Sequence, residues 1–348
     1  MGWIVHSVVE NRPDPFAPLV DRHGRVFTYL RLAVNEKCNL RCAYCMPEDG
    51  LALSPDADLL TTDEIARIVG VAAACGVRKI RLTGGEPLLR RDLVDIVRAT
   101  AATPGIESVH LTTNGLLLER HLDALRDAGL TGINISLDSL DPARFEAITR
   151  RRGGEVVREA VRAALRSGIG SVKLNAVALR GLNDDQFGDF VELTRDEPLG
   201  IRFIELMPFD DHQIWKTGRF LKADWIVERL RTLYPNIESA SGSSTEHFVF
   251  RVPGYLGKVA VIPSYTRDLC GTCNRIRITA NGRIRNCLYA SREFDLRELM
   301  RTGADDAALA GRLREAMLAK AADGWSAQHD HGESSVDFIR TSMTQIGG

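Results

Sequence analysis

The sequence lacks long apolar runs and an excess of charge of either sign. No stretch approaches the roughly 18 to 20 apolar residues of a membrane-spanning helix. Residues 1–20 lack the apolar core of an export signal, since they contain Glu10, Asp14 and three prolines. Lysine and arginine total 45 against 46 aspartate and glutamate, a formal net charge of −1. The overall charge therefore gives no reason to expect binding to a nucleic acid or a membrane.

Cysteine is also scarce, and its placement is uneven. Six of the 7 cysteines fall into two groups of three: Cys38, Cys42 and Cys45 near the start, and Cys270, Cys273 and Cys287 near the end. An odd count without an export signal favours metal ligation over disulfides. A tetrahedral zinc or a four-iron cluster takes four ligands, so three thiolates leave one metal position open to substrate. The seventh, Cys75, ends an apolar helical stretch and is predicted to be a buried packing residue.

From Tyr29 to about Met207 the chain alternates short apolar strands with amphipathic helices. The six predicted strands are Tyr29–Val34, Lys79–Thr83, Ser108–Thr112, Gly132–Leu137, Ser171–Ala178 and Ile201–Met207. Six strand–helix units in a row predict a parallel sheet that curls toward a barrel, which six strands cannot close as eight would. We therefore expect an α/β fold, an incomplete (βα)6 TIM-like barrel with a C-terminal α+β extension that covers the open side.

Three regions follow from this pattern: a flexible leader over 1–20, the partial barrel over 21–235, and a C-terminal domain over 236–348. Thr61 and Glu64 predict a capping box at the start of the first helix, and Asn183 to Asp185 predict the cap of a later helix that ends near Glu197. The extension is predicted to hold strands His247–Val252, Lys258–Pro263, Arg275–Thr279 and Arg283–Cys287, then a helix over Ala307–Ala321.

Polar and cationic residues interrupt the strands where a barrel interior is normally apolar. Alternate residues on a strand share a face, which groups Lys79 with Arg81, Asn134 with Ser136 and Asp138, and Lys173 with Asn175; Arg31 and Arg202 also lie within strands. Central strands of a parallel sheet are covered on both faces, so these groups cannot all face water. Because an unpaired buried cation is costly, the interior is expected to hold a large anionic ligand.

The first cysteine group lies on the loop that directly follows the first strand, and Tyr44 precedes its last cysteine. Thr83-Gly84-Gly85-Glu86-Pro87 follows the second strand. Together these motifs resemble the radical S-adenosylmethionine superfamily. The resemblance implies a [4Fe–4S] cluster on the three cysteines, S-adenosylmethionine on its free iron, and reductive cleavage to a 5′-deoxyadenosyl radical. By resemblance the S-adenosylmethionine site comprises Tyr44, Gly84, Gly85, Glu86, Ser136 and Met207.

The second cysteine group, the run Lys79–Pro87 and the terminal Gly347-Gly348 resemble the GTP 3′,8-cyclase family of molybdenum cofactor biosynthesis, over about Asp21 to Gly348. The resemblance implies a second [4Fe–4S] cluster whose open iron ligates the purine, GTP as substrate, and a cyclic dihydro-GTP as product. The GTP contacts expected are Arg31, Lys79, Arg81, Thr112, Lys173, Arg202, Arg275, the main chain of Ile276, and Arg277, with Arg275 and Arg277 also expected to act in catalysis.

The family likeness carries further expectations. It implies that Gly347-Gly348 reaches into the active site, that the protein forms a homodimer, and that the product passes to cyclic pyranopterin monophosphate synthase. Clusters with an open site are sensitive to oxygen, which implies a cytosolic or matrix location, and the electron donor stays unknown. Two alternatives remain open: a radical S-adenosylmethionine enzyme that modifies a peptide, and a zinc-binding interaction module without catalysis.

Overall fold

The structure of the protein, a computed structural model, describes residues 14–207, 217–242, 248–266, 269–329 and 342–345. The strands are β1 Tyr29–Asn35, β2 Lys79–Gly84, β3 Ser108–Thr113, β4 Gly132–Ser136, β5 Ser171–Ala178, β6 Gly200–Glu205, β7 Glu238–Ser239, β8 Phe248–Arg251, β9 Lys258–Ile262, β10 Arg275–Ile278, β11 Arg283–Arg285 and β12 Phe294–Asp295. The helices are α1 Thr62–Ala74, α2 Leu93–Ala101, α3 Leu122–Asp127, α4 Pro142–Thr149, α5 Gly154–Arg166, α6 Phe187–Glu192, α7 Ala223–Leu233, α8 Arg297–Arg301, α9 Asp306–Leu318 and α10 Gly324–His329.

These strands form one 12-stranded sheet in the order β12-β11-β10-β1-β2-β3-β4-β5-β6-β9-β8-β7. Strands β1 to β6 are parallel and adjacent in chain order, as the repeated strand–helix units predict. The extension continues this sheet at both edges, because β10 pairs in parallel with β1 and β9 pairs in parallel with β6. The expected incomplete barrel with a C-terminal extension is confirmed, and the extension covers the open side by adding strands to it.

The first helix shows how the apolar pattern builds the core. Thr61 caps α1 through the predicted capping box with Glu64. Ile65, Ile68, Val69 and Ala72 form the buried stripe of α1 and join the main apolar core of the barrel strands. Cys75 follows at the end of the helix and is 0% exposed, which confirms its predicted packing role.

The predicted helix cap at Asn183 is wrong. Helix α6 begins only after Gln186 and ends at Glu192, short of the predicted end near Glu197. Asn183 is 1% exposed; its amide accepts from the Leu179 N–H at 2.8 Å and donates to the carbonyls of Asp138 at 2.6 Å and Val177 at 2.8 Å. The side chain therefore ties together the segments that follow β4 and β5, a link that local sequence does not reveal.

Other differences concern boundaries. Strand β6 begins at Gly200 and ends at Glu205, before the predicted Met207, and helices α4 and α7 were not predicted. Within the expected leader, Leu19 is 0% exposed and donates its N–H to the Cys75 carbonyl at 3.2 Å, while residues 1–13 lie outside the described residues. The division near residue 235 stays a prediction, since one sheet runs across it.

Within the described residues, every helix is too short or too polar to cross a membrane.

Candidate active site

Two adjoining cavities bring the two cysteine groups to one region of the molecule. The main cavity encloses about 1630 Å³, part of it open to solvent, and Cys38, Cys42 and Cys45 all line it. The second cavity, of about 540 Å³, is lined by Cys270, Cys273 and Cys287. The residues common to both walls are Ile262, Ser264, Arg275, Arg277 and Leu288. The cysteine groups therefore lie on either side of a shared wall that carries two arginines.

Strand register explains the charge of the main cavity. We call its five arginines the basic set: Arg31, Arg81, Arg202, Arg275 and Arg277. Arg31 on β1 stands directly beside Arg277 on β10 and Arg81 on β2. Side chains in register on parallel strands project from the same face, so the three guanidinium groups enter the cavity as one layer. These five residues were expected to contact the substrate, and the structure places them together.

The electrostatics of the basic set are those of crowded like charges. Burial, together with the charges of Arg277, Arg275 and Arg202, lowers the pKa of Arg31 to about 9. Burial and the neighbouring charge of Arg275 lower the pKa of Arg277 to about 10. Both shifts mean that keeping these two arginines charged inside the protein costs free energy. An anion bound in the cavity would offset this cost.

Asn134 organises part of this layer from β4. Its amide stands between Arg81 and Arg202, and with its oxygen turned toward them it accepts a hydrogen bond from an Nη atom of each, at 3.2 Å in both cases. The predicted polar strand face at Asn134 therefore serves to orient two members of the basic set.

The loop after β1 presents the first cysteine group. The Cys45 N–H donates to the Cys42 carbonyl at 2.8 Å, and the Leu40 N–H donates to Cys38 Sγ at 3.4 Å. Burial raises the pKa of Cys38 to about 12 and that of Cys42 well above its ordinary value. Within the described residues, no three Cys, His, Asp or Glu side chains group as ligands of a metal ion. A cubane binds each thiolate through a different iron, so its ligands stand farther apart than those around a single ion.

In the second group, Cys273 differs from its neighbours. Burial alone would raise its pKa, but the charges of Arg275 and Lys320 lower it to about 6. Burial raises the pKa of Cys270. Lys320 also lines the second cavity, and sequence reasoning did not find it because it lies on no strand or motif. A thiolate that is stable near neutral pH suits metal ligation.

The Gly84-Gly85 pair supports the cysteine loop by close backbone packing. A Cβ on Gly84 would lie 2.2 Å from the Asn35 carbonyl oxygen, and a Cβ on Gly85 would lie 2.2 Å from the Lys37 carbonyl oxygen. Gly84 also has a φ of +131°, which few other residues adopt. The Gly85 N–H donates to the Asn35 carbonyl at 3.1 Å. Both glycines line the main cavity, and they allow the cysteine loop to approach β2.

Glu86 lies apart from the other residues expected to bind S-adenosylmethionine. It is 0% exposed and does not appear in the wall of the main cavity. Its carboxylate accepts from Thr113 Oγ1 at 2.7 Å, the Asn114 N–H at 2.7 Å and the Leu88 N–H at 3.0 Å. Burial raises its pKa to about 7. In this arrangement Glu86 ties the glycine turn to the end of β3.

Tyr44, Ser136 and Met207 line the main cavity near the first cysteine group, as expected. The Tyr44 hydroxyl donates to Asp138 Oδ2 at 2.6 Å, and the Val177 N–H donates to Asp138 Oδ1 at 2.8 Å. Burial raises the pKa of Asp138 to about 6. Asp138 therefore fixes the ring of Tyr44 against the cavity wall.

The cavity also contains buried polar atoms that need a partner. Thr83 Oγ1, Thr112 Oγ1 and Asn175 Oδ1 are buried without a hydrogen bond, and all three residues line the main cavity. Such atoms are costly unless a ligand or ordered water satisfies them. Together with three thiols in the same wall, they fit a cluster and a polar ligand. Asn175 was recognised as a polar strand residue but not as a site residue.

Three expected contacts do not line the main cavity and stay predictions. Lys79 Nζ lies 5.5 Å from the centre of the Tyr29 ring, which does line it. Lys173 lines a cavity at the amino ends of β5, β6 and β9, and its charge acts on the buried His110 together with those of Lys79, Arg81 and Arg202. Ile276 was expected to contact GTP through its main chain, which the full burial of its side chain does not test. Tyr29 itself was missed, although its alternation with Arg31 on β1 could have found it.

The described residues 342–345 reach the cavity wall. Met343 and Thr344 line the main cavity, and Ser342 Oγ lies 3.7 Å from Cys45 Sγ. The expected role of Gly347-Gly348 falls on residues outside those described, a few positions further along the chain.

Comparisons with known proteins agree with the fold and the motifs. Residues 32–194 match the model of the radical SAM superfamily, and residues 199–325 match the family described as Molybdenum Cofactor Synthesis C. The crystal structure of Streptococcus suis SuiB bound to S-adenosylmethionine superimposes with a TM-score of 0.54 at 18% identity, over 84% of this chain and 69% of that one. The fold is thus that of a radical SAM enzyme, which implies an iron–sulfur cluster and S-adenosylmethionine.

Curated relatives narrow the family. A protein of Chlorobaculum tepidum named GTP 3′,8-cyclase is 46% identical over 95% of this chain and 97% of its own length. The mitochondrial GTP 3′,8-cyclase of Arabidopsis thaliana is 41% identical over 100% of this chain and 88% of its own. Human molybdenum cofactor biosynthesis protein 1 is 45% identical over 84% of this chain but only 46% of its own length. The chain belongs to the GTP 3′,8-cyclase family.

Replacement of Gly85 by alanine should dislodge the first cysteine loop. The added Cβ meets two backbone carbonyl oxygens, those of Lys37 at 2.2 Å and Glu36 at 2.6 Å, which cannot rotate away. We expect a loss of about 1–3 kcal/mol in the free energy of unfolding and a lower iron content after anaerobic reconstitution.

The matched control is Gly70→Ala in α1, where an added Cβ meets nothing within 4 Å. This variant should gain about 0.5–1 kcal/mol and keep its iron. Urea denaturation and iron analysis measure both effects. Equal stability and iron content in the two variants would contradict the assigned packing role.

Proposed function

We propose that the protein is a radical S-adenosylmethionine GTP 3′,8-cyclase, a lyase that converts GTP to (8S)-3′,8-cyclo-7,8-dihydroguanosine 5′-triphosphate in the first step of molybdenum cofactor biosynthesis. The observation that carries this proposal is the shared wall, where Arg275 and Arg277 stand between two three-cysteine groups. The named relatives support the same reaction.

The substrate assignment rests on charge. A triphosphate carries about four negative charges near neutral pH, and guanidinium groups bind phosphate oxygens in pairs. The basic set supplies five such groups from four strands of one cavity. A peptide substrate would have no general need for this charge, and SuiB, which has also been crystallised with the precursor peptide SuiA, is only 18% identical. The peptide-modifying alternative is therefore not favoured.

The residues of this chain bind, orient and shield the substrate. Cys38, Cys42 and Cys45 would hold one [4Fe–4S] cluster, and Cys270, Cys273 and Cys287 would hold a second one on the purine side. The first cluster and S-adenosylmethionine supply a 5′-deoxyadenosyl radical when bound. Tyr44, Ser136 and the glycine turn line the same cavity as the first three cysteines and would hold S-adenosylmethionine, the glycine turn at its methionine end, with Thr83 and Asn175 offering unsatisfied oxygens.

The overall change in the substrate is an isomerisation. A hydrogen atom passes from C3′ of the ribose to the 5′-deoxyadenosyl radical, which becomes 5′-deoxyadenosine; C3′ bonds to C8 of the guanine, and one electron from the external reductant with one proton from water then completes the dihydropurine. Arg275 and Arg277 lie where the purine would meet the second cavity, and we assign them to the orientation of the base during this step. We further propose a cytosolic homodimer that passes its product to cyclic pyranopterin monophosphate synthase.

The proposal is tested by product analysis. Anaerobically reconstituted protein, incubated with GTP, S-adenosylmethionine and dithionite, should form 5′-deoxyadenosine and the cyclic dihydro-GTP in equal amounts. Mass spectrometry of the quenched mixture measures both. Formation of deoxyadenosine only with another substrate, such as a peptide, would reject the assignment.

The arginine layer gives a prediction about binding. Arg277→Ala and Arg81→Ala should each weaken GTP binding by about 1.5–3 kcal/mol, since Arg81→Ala removes charged hydrogen bonds to the triphosphate and Arg277→Ala removes those that orient the base. Arg98→Ala, on the exposed face of α2, should leave binding unchanged. Calorimetry measures the affinity, and circular dichroism checks that the fold is native. Unchanged affinity in both cavity variants would place the nucleotide elsewhere.

The two cysteine groups should bind their clusters independently of each other. Cys38→Ala should abolish deoxyadenosine formation, whereas Cys273→Ala should keep that activity with about four irons in place of about eight and lose cyclisation. Cys75→Ala, at a buried position outside both groups, is the control and should retain full iron. If Cys273→Ala also loses the first cluster, or if it still cyclises GTP, the two-cluster proposal fails.

A further inference from the structure

Tyr29 is a largely buried tyrosine in the wall of the main cavity. It opens β1, is 2% exposed and lines the cavity two residues before Arg31. In the sheet it stands beside Lys79 on β2 and Arg275 on β10. Its ring centre lies 5.5 Å from Lys79 Nζ and 5.6 Å from Arg81 Cζ. The ring therefore contacts two cations by cation–π interactions.

Within the described residues the Tyr29 hydroxyl makes no hydrogen bond, and its oxygen is not one of the fully buried unpartnered atoms, so it is open to the cavity that the residue lines. A phenol both donates and accepts hydrogen bonds. The hydroxyl is therefore available to a ligand in that cavity.

We propose that Tyr29 is a substrate-contacting residue of the nucleotide site: its hydroxyl donates a hydrogen bond to a phosphate oxygen of the triphosphate, and its ring holds Lys79 and Arg81 in place for the same phosphates. The inference rests on the proposed function and adds a residue to it.

The surroundings of Tyr29 select phosphate over purine as its partner. Cations face it from three other strands, namely Lys79 and Arg81 on β2, Arg202 on β6 and Arg275 on β10, and Arg31 follows it on β1. An oxygen anion is the group that both a phenolic O–H and these cations bind well. Two cations already lie over the ring, which disfavours stacking of a base on it.

The test compares Tyr29→Phe with the parent in anaerobically reconstituted protein. Phenylalanine keeps the ring and removes only the hydroxyl, so GTP should bind about tenfold more weakly at pH 7, while guanosine binding should not change. Tyr29→Leu removes the ring as well and should lose further affinity. Equilibrium dialysis with each ligand measures the dissociation constants.

The control variant is Tyr255→Phe, which removes a comparable phenol far from the cavity. The Tyr255 hydroxyl donates to Glu192 Oε1 at 2.7 Å, and its ring centre lies 5.3 Å from Arg195 Cζ. Its loss should leave GTP binding unchanged.

The pH dependence of GTP binding separates substrate contact from a structural role, because a purely structural Tyr29 would leave that dependence unchanged. Burial raises the pKa of Tyr29, but the charges of Arg81, Arg31, Lys79 and Arg202 outweigh it and bring the pKa to about 8. Below this value the phenol is a neutral donor; above it the phenolate cannot donate and repels phosphate. The roughly tenfold advantage of tyrosine over phenylalanine at pH 7 should therefore vanish by about pH 9.

The outcomes separate the inference from the proposed function. If the parent protein binds no GTP, the proposed function itself fails. If the parent binds GTP but Tyr29→Phe matches it within twofold at both pH values, only the role of Tyr29 is overturned. An equal loss of guanosine and GTP affinity in Tyr29→Phe would also overturn it, since the contact would then lie with the nucleoside.

Discussion

The constraint on which the rest of the site depends is the layer of guanidinium groups held inside a sheet. Arg277, Arg31 and Arg81 are in register on three adjacent parallel strands, so the backbone ladder forces their charges together. Burial first, and then the charges of neighbouring arginines, lower the pKa of both Arg31 and Arg277. A large apolar core beneath the sheet stabilises this arrangement, and a polyanionic ligand relieves it. Substrate charge and protein charge are thus complementary before the substrate binds.

Short strand β10 connects this layer to both cysteine groups. It follows Cys273 in the chain and lies beside β1, whose end leads into the loop of Cys38. The six strand–helix units of the barrel could be predicted, because each repeats a local apolar pattern. The positions of β9 and β10 at opposite edges of the sheet could not, since pairing such as that of Tyr29 with Arg275 joins residues far apart in sequence. The prediction of a helix cap at Asn183 was wrong for the same reason, because the hydrogen-bond partners of its side chain lie in other segments of the chain.

At the site, residue type, spacing and the family resemblance singled out the cysteines, the glycine turn and the arginines, and the structure places them in the walls of the two cavities. Roles that depend on tertiary contacts were not predictable. Glu86 stands in the glycine motif, yet its carboxylate holds the end of β3. Tyr29 was passed over, because a tyrosine at a strand start is usually a packing residue and only its cationic neighbours distinguish it.

The most direct measurement is iron anomalous diffraction from anaerobic crystals grown with GTP. We expect two separate iron centres, one beside Cys38, Cys42 and Cys45 and the other beside Cys270, Cys273 and Cys287, with the nucleotide between them, its base beside Arg275 and Arg277 and its phosphates toward the other arginines of the basic set. A single iron centre, a fourth protein ligand on either cluster, or a nucleotide bound outside the main cavity would contradict it.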